Sequence, residues 1–192
     1  MSNKGTNKKS KSNLTDMILI SLFSGLICVC SFISIPSVIP FTLQLFAVYC
    51  ALGILGGKNG TVSIIIYILL GIIGLPVFSG FKSGLGVITG PTGGFIIGFV
   101  FSGLVFWLVT AISKNKAVFT LLAMIVSLAV CYLLGTLWFV YIYGRGSEDV
   151  GFMGALSVCV VPFIVPDLIK IAAAFTVSTL VNRKLKIIKK KQ

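Results

Sequence analysis

Residues 91–112 read PTGGFIIGFVFSGLVFWLVTAI. The run carries no charge, and its apolar residues follow one another instead of alternating with polar ones. About 20 such residues, wound as an α-helix, cross the ~30 Å hydrocarbon layer of a bilayer. The stretch therefore predicts a membrane-spanning helix over 91–112, and that one helix decides the class of the rest. Lipid offers backbone N–H and C=O groups no partners, so every span must be a helix or a strand of a closed barrel. Runs this long and without alternation exclude the barrel.

Working outward, the same reading predicts spans near 16–35, 42–57, 60–77, 117–143 and 153–182, six in all with the first. The span at 42–57 is short, and the last two are long enough to tilt or project beyond the hydrocarbon. Composition agrees, with 57% hydrophobic and 10% charged residues in 192, against about 25% charged in soluble domains. The expected fold is an all-α integral membrane protein, with one six-helix domain over 16–182. A basic N-terminal stretch, 1–15, is expected to be disordered, and 183–192 forms a basic tail.

The net charge of +12 gathers at the two ends, in Lys4, Lys8, Lys9 and Lys11 and again in Arg183, Lys184, Lys186, Lys189, Lys190 and Lys191. Six spans put both ends on one side, together with Lys58 and the Lys114 and Lys116 connection. The positive-inside rule makes that side cytoplasmic. Charge flanking spans sets topology and touches anionic lipid; it does not point to nucleic acid. The apolar run from Met17 to about Ile35 lacks an A-x-A cleavage site and precedes further spans, so it reads as a retained helix. Five cysteines (Cys28, Cys30, Cys50, Cys131, Cys159) never form CxxC, and the chain has no histidine. No metal site is expected, and the thiols read as small apolar packing groups.

Three connections fall on the opposite side: Ser34 to Phe41, Ser79 to Gly90, and Tyr143 to Gly151. In SIPSVIPF, Pro36 and Pro40 force extended backbone. SGFKSGLGVITGPTGG is dense enough in glycine, Gly84 and Gly86 among them, to bring backbone close to a ligand or back into the membrane. YGRGSEDVG, with Arg145, Glu148 and Asp149, reads as a wet loop. GILGGKNG (Gly53 to Gly60) falls short of a P-loop, with Leu52 and Asn59 where Gly and Ser or Thr are required. GLGVIT (Gly84 to Thr89) ends on Thr89 where a dinucleotide fingerprint needs glycine. An intramembrane enzyme using Asp167 with Glu148 or Asp149 lacks a nucleophile–base pair, and a channel lacks a pore lining, so no enzyme is expected. Transport driven by nucleotide would require partner proteins.

What chemistry remains centres on VPDLIK (Val165 to Lys170). Asp167 and Lys170 stand i, i+3 and share a helix face. A charge at membrane depth costs a few kcal/mol and faces the bundle interior. Two readings are open: a structural ion pair that neutralises itself, or Asp167 accepting ligand N–H bonds while Lys170 meets a ligand carboxylate. Lys82, with no acidic neighbour in its loop, is either a solvated lysine or an anion partner. Thr42 and Gln44 follow Pro40; Tyr67, Ser79 and Thr92 add polar groups near the same end. Thr42 also suits a helix cap, and Tyr67 a packed bundle tyrosine. Phe41, Phe78, Phe81 and Phe95 supply aromatic surface there. Together these outline an outward pocket, mostly apolar with a few polar groups, for a small amphiphilic and anionic ligand.

The series IPFTLQLFAV (Ile39 to Val48), LGIIGLPVFSG (Leu70 to Gly80), GLGVITGPTGGFIIGF (Gly84 to Phe99) and VPDLIKIAAA (Val165 to Ala174) resembles the BioY family, in order and over about residues 17–182. These are the biotin-specific substrate-binding (S) components of energy-coupling factor (ECF) vitamin transporters. The combination of PFTLQ, GLPVF, GPTGG and PDLIK argues against another vitamin. The resemblance implies a six-helix subunit of the bacterial cell membrane that captures biotin outside and delivers it inward, with no cofactor. It also implies association with one transmembrane coupling (T) protein and two cytoplasmic ATPases. By motif position it implies ligand contacts from Asp167 and Lys170, from the Ser79 to Gly86 loop and from Thr42 and Gln44. The family often carries arginine or asparagine near that loop, where this chain has Ser79 and Lys82. Asp167 would meet the ureido N–H groups, and Lys170 or Lys82 the carboxylate. The family also docks its coupling protein through small residues on the first helix. Here Ser21/Gly25 and Ser24/Cys28 stand at that spacing, which also suits ordinary packing within the chain.

Overall fold

A computed structural model of the chain describes residues 4–112, 117–143 and 151–191, with backbone alone for 4–13 and 185–191. Helix α1 runs Lys4–Phe32, so its first turns fall in the basic stretch read as a disordered tail. It leads into a two-residue antiparallel hairpin, β1 (Ser34–Ile35) with β2 (Phe41–Thr42), paired Ser34 to Thr42 and Ile35 to Phe41. Extended backbone around Pro36 and Pro40 was expected; the pairing is added by the structure.

Helix α2 covers Gln44–Ile73 and turns back on itself at Gly56, where φ is 80°. That left-handed angle suits glycine alone. A Cβ on Gly60 would come within 2.8 Å of the Leu52 Cα and 3.0 Å of the Ala51 carbonyl. Eight residues along a straight helix would stand about 12 Å apart. The two arms, 44–55 and 57–73, are therefore antiparallel, and they are the second and third predicted spans. With α1, α4 (Gly93–Ile112), α5 (Ala117–Tyr143) and the final segment they make a six-span bundle. Between α2 and α4 stand a single 3-10 turn at Ser79–Phe81 and a short helix, α3 (Leu85–Ile88).

The last span departs from the continuous helix expected over 153–182. Helix α6 (Phe152–Cys159) ends in a tight turn at Val161–Phe163, and α7 (Ile164–Lys191) starts afresh. Pro162 cannot donate to a continuing helix. Pro166 falls in the first turn of α7, where its missing N–H has no helical partner to lose. The break gives the membrane a helix N-terminus, with Asp167 in its first turn.

Small residues let the helices approach. A Cβ on Gly57 would lie 2.4 Å from the Trp107 Cα, and one on Gly103 2.5 Å from the Thr61 hydroxyl. In a bundle surrounded by lipid, such close contact replaces the hydrophobic drive that water supplies elsewhere. Ile27, Val48, Leu52, Ile64 and Met124 are buried at the centre. Trp107, Leu108, Ile112 and Leu137 lie on the outside, the distribution of a protein that faces acyl chains on its flanks.

Candidate functional site

At the end of the bundle away from the termini, the hairpin, the 78–92 connection, α2 and α4 surround a cavity of 680 Å³. The volume lies in the range of small-molecule sites. Thr42, Gln44, Tyr67, Ser79, Lys82, Gly86 and Thr92 all reach its wall. Gln44 and Tyr67 are buried, whereas Lys82 and Gly86 are exposed, so the first pair lies at the floor and the second at the mouth. Gly84 is not among the lining residues. It serves the backbone, with φ 85° and its N–H donating to the Gly71 carbonyl at 2.8 Å.

The loop over this cavity is held at several points. The Phe78 N–H donates to the Lys82 carbonyl at 3.0 Å, and the Trp138 Nε1–H donates to the Gly90 carbonyl at 2.9 Å. Phe81 stacks on Phe32 with ring centroids 4.5 Å apart, although its φ is 57°. A bulky residue in the left-handed region is costly, and surrounding contacts must hold it there.

Asp167 and Lys170 do not line this cavity. They border a second, smaller one of 60 Å³ with Tyr132 and Phe163, and the two cavities share Ile39, Pro40, Thr42, Phe95 and Phe99 as walls. Lys170 Nζ donates to Asp167 Oδ1 at 2.8 Å, and the Tyr132 hydroxyl donates to Oδ2 at 2.7 Å. Lys170 also sits over the face of Phe41, 3.9 Å from the ring centroid, and Phe41 stacks on Phe163. Asp167 is 4% exposed and Lys170 9%. The charge is tolerated at this depth for three reasons: an opposite charge in contact, a hydroxyl on the second oxygen, and the positive end of the α7 dipole. An ionised carboxylate has about four acceptor positions, so two bonds leave it room to accept more. Tyr132 was not legible as a site residue. It is an isolated tyrosine in an apolar run, and nothing in local spacing ties it to a carboxylate 35 residues on.

The candidate docking residues on α1 divide by face. Ser24 is 2% exposed and its hydroxyl donates to the Ile20 and Ser63 carbonyls, and Cys28 is likewise buried. These two pack within the chain against the second arm of α2. Ser21 is exposed, and a Cβ on Gly25 would meet nothing within 4 Å. Among the described residues no group of His, Cys, Asp and Glu could hold a metal ion. The Arg145, Glu148 and Asp149 loop lies outside the described residues.

Fold and site define a multi-pass helical membrane protein with a pocket for a small molecule among the loops at one end. The chain belongs to the BioY family, whose sequence pattern it matches over residues 4–187. It is 39% identical over 162 residues to the biotin transporter BioY of Thermotoga maritima, covering 84% of this chain and 92% of that one. A probable biotin transporter BioY of Pyrococcus horikoshii is 38% identical over 164 residues, 85% of this chain and 93% of the relative. The fold matches the crystal structure of the S-component for biotin from an ECF-type ABC transporter. The TM-score is 0.80 over 95% of each chain, at 23% identity.

Proposed function

We propose that this chain is the biotin-binding subunit of an ECF-type importer, capturing biotin in the 680 Å³ cavity on the outer side of the membrane. The observation that carries the reading is that cavity's gradient, from buried neutral polar groups at the floor to a lysine at the mouth. Biotin has the matching order of groups, with a ureido ring at one end, an apolar thiophane ring and chain between, and a carboxylate at the other. Lys82 is the better placed cation for the carboxylate, because Lys170 already contacts Asp167 and the Phe41 ring. Asp167, one wall away at Thr42 and Phe95, retains acceptor capacity for ureido N–H groups. The membrane domain over 16–182 does the binding. The basic termini and Lys58 face the cytoplasm of a bacterial cell, opposite the pocket.

Equilibrium binding of labelled biotin to the purified subunit in detergent tests this reading. Nanomolar affinity is expected; a folded protein that binds no biotin would overturn it. Biotin methyl ester should bind up to about fivefold more weakly than biotin, because the ion pair it loses is exposed. Lys82→Ala should weaken biotin by the same factor and leave the ester unchanged. Equal binding of acid and ester by the parent would remove Lys82 from the site.

The chain has no nucleotide-binding loop, and a coupling protein with two ATPases would supply the energy for release inward. Ser21 and Gly25 are the residues open to such a partner. Gly25→Trp fills the outer surface of α1 without touching the pocket. It should reduce co-purification with the energising module several-fold while biotin binding by the isolated subunit stays unchanged; undiminished co-purification would place the docking face elsewhere.

A further inference from the structure

The floor of the large cavity carries two polar groups with no hydrogen-bond partner, the Gln44 side-chain Nε2 and the Tyr67 hydroxyl. Gln44 is 5% exposed and Tyr67 0%. A buried donor left unmade is destabilising, and native interiors contain few of them. The Ser31 hydroxyl nearby donates to the Cys28 and Val77 carbonyls, and neither it nor the Gln44 side chain meets the Tyr67 hydroxyl with hydrogen-bond geometry. The Tyr67 ring has no room to turn away. It meets Phe78 edge-on at 5.6 Å, and Phe78 is pressed so closely on α2 that a Cβ at Gly71 would lie 2.1 Å from its ring. The two groups are thus held in place, without a hydrogen-bond partner in the protein, on the wall of a cavity of ligand size.

The charge balance around that volume says what they receive. Among the described residues lining the large cavity, Lys82 is the sole cation, and it is exposed at the mouth. An anion at the floor would be buried with no opposite charge, which is far costlier than burying a neutral acceptor. A carbonyl oxygen has two lone pairs and can accept from an amide N–H and a phenol O–H together. We infer that Gln44 and Tyr67 are a specificity-determining pair that receives a neutral carbonyl oxygen at the buried end of the ligand, setting its anionic end toward Lys82. The assignment rests on the biotin reading, in which that oxygen belongs to the ureido ring. The two ureido N–H groups flank it and point toward the walls, one of which, at Thr42, is shared with the Asp167 cavity.

The experiment compares biotin with its thione analogue, in which sulfur replaces the ureido oxygen. The analogue keeps both N–H groups and the carboxylate but is a poor acceptor. Affinities for both, and melting temperatures without ligand, are measured for the parent, Tyr67→Phe and Gln44→Leu. Tyr67→Phe should bind biotin about tenfold more weakly, and its preference for biotin over the thione should shrink by a similar factor. Its ligand-free melting temperature should not fall, because the hydroxyl it lacks had no partner. If both variants bind biotin like the parent, the assignment is overturned. It is also overturned if they lose biotin and thione equally while melting earlier, since that is a structural role. A folded parent that binds no biotin overturns the functional reading itself and this assignment with it.

Discussion

Asp167→Asn is expected to abolish high-affinity biotin binding and to destabilise the protein by about 3–5 kcal/mol, the cost of removing one partner from a buried ion pair. Most of that cost would not come from the lost attraction. It would come from Lys170, whose ammonium would stay 9% exposed against the Phe41 ring with no anion in contact. Tyr132 would lose a charge-assisted bond at the same time. Binding should fall by at least about a hundredfold, since hydrogen bonds to a charged acceptor contribute roughly 1.5–3 kcal/mol each. The two effects separate in the double variant Asp167→Leu, Lys170→Met. Replacing a whole buried pair by apolar residues of similar size is often neutral or stabilising, so the melting temperature should return toward the parent value. Binding should not return. A double variant as unstable as Asp167→Asn would mean that the pair is tied into the surrounding structure beyond its own charges. An Asp167→Asn protein with full biotin affinity would leave the carboxylate a structural role only.

The same pair shows what the sequence could and could not convey. A carboxylate and an ammonium in an apolar run stand out because lipid makes them costly, and i, i+3 spacing already brought them together. Their seat was not visible. It depends on the break before Ile164, and a proline inside an apolar run signals a kink without saying where the new helix starts. That restart places Asp167 in a first turn, and with it the dipole that favours its charge. The spans themselves were legible because an apolar run has a length: α5 falls at 117–143 as expected, and α4 begins two residues inside its predicted range. A turn between the second and third spans was legible too, as the glycines and lysine of GGKNG interrupt the hydrophobic run. The predicted spans put it at 58–59, but the chain turns at Gly56, leaving Lys58 in the second arm.

Faces were harder to read than lengths. Helix α1 is apolar all round over its membrane part, so spacing alone offers no direction to the core. Ser21/Gly25 and Ser24/Cys28 look equivalent in sequence, and only packing against α2 turns the second pair inward. The division of polar residues between two cavities was hidden for a similar reason. Thr42, Tyr67, Lys82 and Tyr132 come from four separate segments, and no local pattern records which of them share a wall.

Gly93→Ala carries the second large expected effect, because it acts on the frame of the pocket and on none of its polar groups. A Cβ at this position would lie 1.6 Å from the Ile88 carbonyl oxygen and 2.5 Å from its carbon. Both atoms are backbone, so no side-chain rotation relieves the clash. Overpacking a core usually costs about 1–3 kcal/mol when side chains can shift, and the upper end or beyond is expected here. Either α3 or the start of α4 must move. Gly86 and Val87 of α3, and Gly90, Pro91 and Thr92 in the joint to α4, are all on the cavity wall. Gly94 adds a second constraint, as a Cβ there would lie 2.2 Å from the Trp138 Cβ, on the side chain whose indole N–H holds the Gly90 carbonyl. Biotin affinity should therefore fall by about a hundredfold or more, with a lower melting temperature, in a variant that keeps every candidate ligand contact. Gly86→Ala is the control for stability. Its Cβ would meet nothing within 4 Å, so the ligand-free melting temperature should not change. Parent-like stability and affinity in Gly93→Ala would show that the α3–α4 joint yields freely, and that the pocket does not depend on the close approach of Gly93 to Ile88.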